Sequence, residues 1–587
     1  MTMLKRPTGP TSLVLLSASL PLVAGCASPV QPERVEVLQA AVRHAAAAEL
    51  EAASRRPEEV AMPEPNREVR DTFSPERLEE LQELSGPESY AHVVLDLGPD
   101  LLGEESQEVG LTLHQAIISA IEHNPDLQAA RLSPAISEAD VVAAEALFDV
   151  TLFAEYSMSW LDQPAVITSG FGTGQSVVET RSLETGIRKV LTTGGQLTVS
   201  TQLERSDVRT PGVTSVPDPA YNSNVLLGIS QPLLRNFGSN IALAEVRAAR
   251  DQHRQQIESL RSSMISLVNQ TEQAYWQLLQ ARWNLLVRER LLERGLETRD
   301  QVKARLGFDT TPAEYSDAVA RVESRRADLI EAKALVRQAS DTLKLVINHP
   351  DLAVGAETLI VPTDDFLGEP VALSLLDAMS TGVNRRPEVL QALLNMDIAA
   401  IQVMLADNAR LPILDLAASM QFNGLDDEWE ESYSEVSETS YVDYLLRLQF
   451  EYPLGNRAAE AQYRRARLQQ NQTVISYRNV LRQVVLDVKT AVRNARTDFQ
   501  LVSQRDEARL AAAENLRTLT VQEDVTALTP DFLDLKFGRQ EALAAAELQH
   551  IQALVDYNVS LANLYAAMGT ALERNQIDFV VPEGDDF

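Results

Sequence analysis

From Ser239 to Arg294 the chain runs 56 residues without a glycine or a proline. As one helix that stretch would be about 84 Å long, at roughly 1.5 Å per residue, which exceeds the width of an ordinary domain. Within it Leu260, Met264, Leu267, Thr271, Ala274, Leu278, Ala281 and Leu285 recur at alternating spacings of 4 and 3. This is a heptad seam, which lays one face of a long helix against its neighbours in a supercoil. Arg457–Thr529 also lacks Gly and Pro, and Val474, Tyr477, Leu481, Val484, Val488, Ala491 and Ala495 repeat the spacing. Small residues on both seams permit close helix approach.

Each rod is preceded by the same pattern. Leu111–Leu132 and Leu373–Leu394 align at a fixed offset of 262, with Leu111/Leu373, Ala116/Ala378, Pro125/Pro387 and Asp126/Glu388 in register. Each copy predicts a helix, a break at proline and a second helix, so the chain is an internal duplication. The period then changes to two. Leu152, Ala154, Tyr156, Met158 and Trp160 alternate with more polar neighbours, as do Leu414, Leu416, Ala418, Met420 and Phe422. Both read as strands of about 10 residues, enough to cross a membrane when tilted. Asp162–Thr180, Gly- and Ser-rich, and Asn423–Thr439, acidic, read as loops. Return strands end at Gln231-Pro232-Leu233 and Tyr452-Pro453-Leu454, where proline cannot donate to a ladder. The first copy holds an extra hairpin, Leu183–Leu191 and Gln196–Leu203 around Thr192-Thr193-Gly194-Gly195. After each rod a Thr-Pro pair, Thr311-Pro312 and Thr529-Pro530, opens a returning helix.

The N-terminus sets the compartment. Lys5 and Arg6 precede an apolar run, Thr11–Ala24, that is shorter than the roughly 20 residues a spanning helix needs. It ends in Leu22-Val23-Ala24-Gly25-Cys26, similar to the bacterial lipobox, and Cys26 is the sole cysteine. An acylated Cys26 would hold the mature N-terminus on a membrane, and Ala27 in the next position fits sorting to the outer membrane. No other segment reads as a transmembrane helix, which leaves spanning to strands. A net charge of −32 disfavours nucleic acid as a partner. The seven histidines form no HExxH pair, and no serine elbow or Walker loop occurs. Gly170-Phe171-Gly172-Thr173-Gly174 follows no strand-to-helix joint and reads as an outer loop rather than a phosphate cradle. No enzyme, metal or cofactor is expected.

The sequence from about Leu111 to Ala571 resembles the TolC family of outer-membrane efflux proteins. The resemblance is carried by LHQAIISAIEHNPDLQAAR, by the joints GISQPLLRNFG and FEYPLGNRAAE, by RLGFDTTPAEY, and by their duplicated order. It implies a mainly α fold with a membrane β-barrel segment. Long coiled-coil-like helices would form a periplasmic tunnel, and a homotrimer would share one barrel to which each protomer gives four strands. The implied organisation is a lipoprotein signal peptide (1–26), an N-terminal tether (27–110), a first efflux repeat (111–347), an inter-repeat linker (348–372), a second repeat (373–572) and an acidic tail (573–587). The implied function is the outer-membrane channel of a tripartite efflux system. Its partners would be an inner-membrane transporter and a periplasmic adaptor (membrane fusion) protein. Type I protein secretion and a pore-less, lipid-anchored periplasmic scaffold are the alternatives, and a scaffold has no use for the alternating strands.

Residue by residue, the tips of the helical hairpins are the candidate sites. Asp309, Glu314, Glu523, Asp524 and Asp531 flank the two tip turns, and symmetry would make them rings of acid at a gate. Leu306, Gly307 and Phe308 are the adaptor-docking candidates. The 183–203 hairpin exceeds four strands per protomer. Inserted into the wall it would give a trimer about 18 strands; otherwise it decorates a loop or rim.

Overall fold

The computed structural model describes residues 67–90, 97–99, 101, 103–104, 106–166, 173–209, 216–307, 310–372, 374–523 and 529–581. Cys26, Phe308, Asp309, Asp524 and most of the Gly170–Gly174 stretch lie outside the described residues.

Two short helices, α1 (Glu68–Thr72) and α2 (Pro75–Ser85), come first. Ser74 caps α2, its hydroxyl accepting from the Arg77 N–H, with Pro75 at the first helical position. Strand β1 (Glu108–Leu111) leads to α3 (Leu113–His123) and α4 (Pro125–Glu145). Thr112 and Gln115 close a capping box on α3, and the Asn124 side chain caps α4. Four antiparallel strands follow: β2 (Val150–Val166), β3 (Thr173–Val190), β4 (Gln196–Val208) and β5 (Ala220–Pro232). The first rod is α5 (Ala244–Ala304), and α6 (Pro312–Ile347) returns beside it. The linker holds β6 (Leu359–Pro362), which pairs in parallel with β1 and so ties the start of one half to the start of the other.

The second half repeats the order. It comprises α7 (Leu375–Arg385), α8 (Pro387–Asn408), β7 (Ile413–Asp426), a short helix α9 (Trp429–Ser437), β8 (Tyr441–Glu451), the rod α10 (Arg457–Glu523) and the returning α11 (Pro530–Met568). The heptad seam predicted on α5 is buried at all eight positions, and on α10 Tyr477, Leu481, Val484, Val488, Ala491 and Ala495 are buried. The two rods run through two tiers of helices. Near the sheet the order is α4, α5, α8, α10; further away it is α6, α5, α11, α10. Both tiers are therefore four helices wide.

Several expectations are corrected in detail. The strands run beyond the expected 10 residues, so β2 and β3 take in much of the predicted Asp162–Thr180 loop. The acidic loop contains α9, which packs on β5 and β7. By length and composition α8 could itself cross a membrane, contrary to the sequence reading; in the fold it lies between α5 and α10, where α4 lies in the first half. Within the span 27–110, α1 and α2 pack on α10.

Candidate functional site

The six long strands form one antiparallel sheet in the order β2-β3-β4-β5-β7-β8. Its register sorts the side chains into two unlike faces, because alternate residues point to opposite sides. On one face Leu152, Ile187, Val199, Leu227, Met420 and Tyr444 stand opposite one another across all six strands. The next row on that face is Val150, Lys189, Leu197, Ile229, Ala418 and Leu446. On the other face one row reads Glu155, Glu184, Gln202, Asn224, Asn423 and Tyr441. An apolar band backed by a polar one is the pattern of a wall between lipid and water.

Toward the ends remote from the helices the apolar face gives way to charge and aromatic rings. Arg181 pairs with Glu179 at 2.5 Å, the Arg209 guanidinium lies 5.7 Å from the Trp160 ring, and that of Arg205 lies 6.0 Å from Tyr221. Such rings belong at a membrane–water boundary. The outer strands β2 and β8 each have one neighbour and one open edge, and their side chains are exposed almost throughout. Asp426, Asp427 and Glu431 gather at the end of β7, within the acidic stretch.

At the other end of the molecule the helical tips meet. Val302, Leu519, Phe532 and Leu533 form a small apolar cluster with Tyr315 against it. Glu314 closes a capping box: its carboxylate accepts from the Thr311 N–H at 2.6 Å, and the Thr311 hydroxyl accepts from the Glu314 N–H. Thr311→Ala is expected to cost about 1 kcal/mol, read as faster amide exchange in the first turn of α6. Glu523 is paired with Lys536 at 2.6 Å, and Lys536 also donates to the Gln301 side chain, so this acid fastens α10 to α11 and α5. Asp531 is exposed in the first turn of α11, and the Thr529 hydroxyl that caps this turn accepts from the Phe532 N–H. Leu306 is exposed and bridged to Thr310, and Gly307 turns the chain at φ +81°. Among the described acids the structure thus gathers Glu314, Glu523 and Asp531 at one end, with local partners for the first two.

Sequence reasoning missed a buried polar layer midway down the rods. There Arg294, Arg325, Glu507, Arg509, Gln540 and Glu547 are all buried. Residues 68–90 are strapped over it. Arg70 pairs with Asp506 and Glu507, Arg294 donates to the Leu84 carbonyl, Arg509 donates to the Ser85 hydroxyl, and the Tyr90 ring packs edge-on against Trp283. Gly295, alone inside the otherwise unbroken rod, was the available signal. A Cβ there would meet the Arg325 guanidinium at 2.7 Å.

Burial pushes the Glu547 carboxyl up to about 7, an effect that Arg294, Arg509 and Arg290 only partly offset. Burial also pulls His550 down to about 4 against the attraction of Asp506. The folded state therefore keeps a proton on Glu547 that the unfolded chain sheds near the ordinary value of 4.5. Stability from this group falls as pH rises from about 4.5 to about 7 and stays lower above it. His550 acts oppositely: the unfolded chain takes up the proton first, so stability falls as pH drops from 6.5 to about 4. Glu547→Gln removes the first effect alone. Relative to wild type it is expected to gain on the order of 3 kcal/mol between pH 4.5 and pH 8, measured as a pH-dependent difference in unfolding midpoint.

Residues 116–349 match the family described as Outer membrane efflux protein. No curated protein matches the chain. Among solved structures it is similar to the Campylobacter jejuni CmeC outer membrane channel, at 15% identity and TM-score 0.55, over 82% of this chain and 93% of that one. It is similar to the open state of the Neisseria gonorrhoeae MtrE outer membrane channel, at 19% identity and TM-score 0.53, over 78% and 89%. It is also similar to the Vibrio cholerae outer membrane protein VceC, at 15% identity and TM-score 0.55, over 78% and 96%. At these identities the likenesses concern the fold alone, which this chain shares with these outer membrane channels.

Proposed function

We propose that this chain, matched over residues 116–349 by the outer membrane efflux protein family, is the outer-membrane channel of an efflux system. Three copies close the wall, and the helices extend it as a conduit into the periplasm. The reading rests on one observation: a six-stranded sheet, apolar on one face and polar on the other, open at both edges and set on a curtain of helices. Unpaired backbone cannot face lipid, so β2 and β8 require partners, and further copies of the chain supply them head to tail.

Transport is passive in this scheme. An inner-membrane transporter supplies the work, and a periplasmic adaptor docks at the tips around Leu306, Gly307 and Phe308. Asp309, Glu314, Glu523, Asp524 and Asp531 form the acidic surround of the gate, and opening repacks the tip cluster against its neighbours. Cys26 carries the lipid anchor. Glu314→Gln keeps the capping acceptor and removes the charge, so it is expected to lower cation selectivity at unchanged stability. The whole reading is tested by reconstitution into planar bilayers together with heat-modifiable gel mobility. A stepwise conductance and a heat-labile oligomer are expected, and failure of both returns the chain to a periplasmic scaffold.

A further inference from the structure

The hairpin β3–β4 stands in the middle of the sheet, and every step from β2 to β5 passes through it. We propose that this hairpin is part of the membrane wall, so that three copies of six strands close an 18-stranded barrel whose bore equals that of the helical tunnel below. The inference rests on the trimeric-channel reading and goes beyond it.

Three observations carry it. First, the hairpin shares both faces of the wall. Ile187 and Val199 continue the apolar band from Leu152 to Leu227, and Glu184 and Gln202 continue the polar band from Glu155 to Asn224. A decoration at the rim would have no reason to alternate in step with its neighbours. Second, its short turn is built into the strand-to-helix joint. The Gly238 N–H donates to the Thr193 carbonyl, the Thr193 hydroxyl donates to the Gln231 side chain, and a Cβ on Gly194, at φ +87°, would collide with the Asn236 carbonyl. The turn therefore sits at the helical end of the sheet, where short connections belong in an outer-membrane barrel.

Third, the widths agree. Six strands about 4.8 Å apart and tilted by about 40° span about 38 Å of wall, whereas four span about 25 Å. Four helices abreast at about 8–10 Å span about 32–40 Å. Each tier of the curtain is four helices wide. A six-stranded sheet thus sits on its helices without a taper, and the closed barrel has a backbone diameter of about 36 Å rather than about 24 Å. At that diameter a barrel encloses an aqueous channel. Sorting of cargo by size then falls to the helical part and its tips.

The test uses the full-length protein in lipid nanodiscs, with Cys26 as the sole native cysteine and wild type as background. Glu184→Cys and Gln202→Cys are expected to react with a membrane-impermeant maleimide at least ~10-fold faster than Ile187→Cys and Val199→Cys, the lumen and lipid sides of one wall. Fluorophores on the latter pair are expected to be quenched by brominated lipid. Electron cryomicroscopy of the same particles is expected to count 18 strands. Equal reaction at all four positions, or a closed 12-stranded barrel with the hairpin outside it, overturns this inference and leaves the channel reading standing. Particles with no closed barrel overturn both.

Discussion

Leu227→Arg is expected to abolish the heat-labile oligomer and its conductance, while Gln202→Arg leaves both in place. Leu227 stands in the middle of the apolar face, between Val199 and Met420. A charge at that depth in a barrel costs about 2–4 kcal/mol, and the proposed threefold assembly would repeat it, for about 6–12 kcal/mol per trimer. That is comparable with the whole stability of an ordinary domain. Gln202 stands in the polar row between Glu184 and Asn224. An arginine there finds water and a carboxylate, so the cost is small. The two sites are on adjacent strands of one sheet, which makes the contrast a test of which face meets lipid. Loss of the oligomer in both variants, or in neither, would remove the assignment of the faces. Membrane fractionation and unheated gel mobility read the result directly.

The duplication, the rods and the outer strands were legible because each rests on a strict period. A seam at spacings of 4 and 3 over eight positions admits one geometry, and all eight residues proved buried. The Thr311 and Thr529 helix starts were legible for a related reason: the cap, the proline and the following acid act within four residues. Strand lengths were underestimated because Gln175, Ser176, Glu179, Thr180 and Glu204–Asp207 are polar, and polar residues paired in a ladder look the same in sequence as polar residues in a loop. The placement of the 183–203 hairpin stayed open because its alternation does not name the strands it pairs with: Ile187 meets Leu152 and Val199 meets Leu227. Ser223 facing Gly424 leaves no local trace. The docked strap was illegible for the same reason, since Arg70 meets Asp506 436 positions away. At the tips, Glu314 and Asp531 could be placed at helix starts, whereas nothing in the spacing of Glu523 announced its pairing with Lys536.

The buried layer yields the second large effect. Arg325 on α6 is 4% exposed and reaches two other helices, α5 and α11, at once. One guanidinium nitrogen donates to the Leu291 carbonyl at 3.0 Å and to the Gln540 side chain at 2.9 Å, while another donates to the Glu541 carboxylate at 3.3 Å. Gln540 in turn donates to the Thr298 hydroxyl at 3.1 Å, and the Phe537 ring lies against the guanidinium. Desolvation lowers the Arg325 pKa, and Glu541 opposes that shift. The pairing therefore contributes more to fastening α6, α5 and α11 in one register than to net stability. Removing one partner is another matter, because a buried acceptor is then left without a donor. Arg325→Ala is expected to cost about 3–5 kcal/mol per protomer. Arg325→Lys is expected to recover less than half of that loss, because a single ammonium cannot hold Leu291, Gln540 and Glu541 as two nitrogens of a planar fork do. Gly295→Val forces the same guanidinium off its site from the other side and is expected to cost about 2–4 kcal/mol through overpacking and the broken network. Because both changes act on one group, the double variant should cost far less than the sum of the two, with a coupling of about 1–3 kcal/mol. Urea unfolding of the detergent-solubilised protein reads all four numbers, and additivity of the two substitutions would show that Gly295 is not there to admit Arg325.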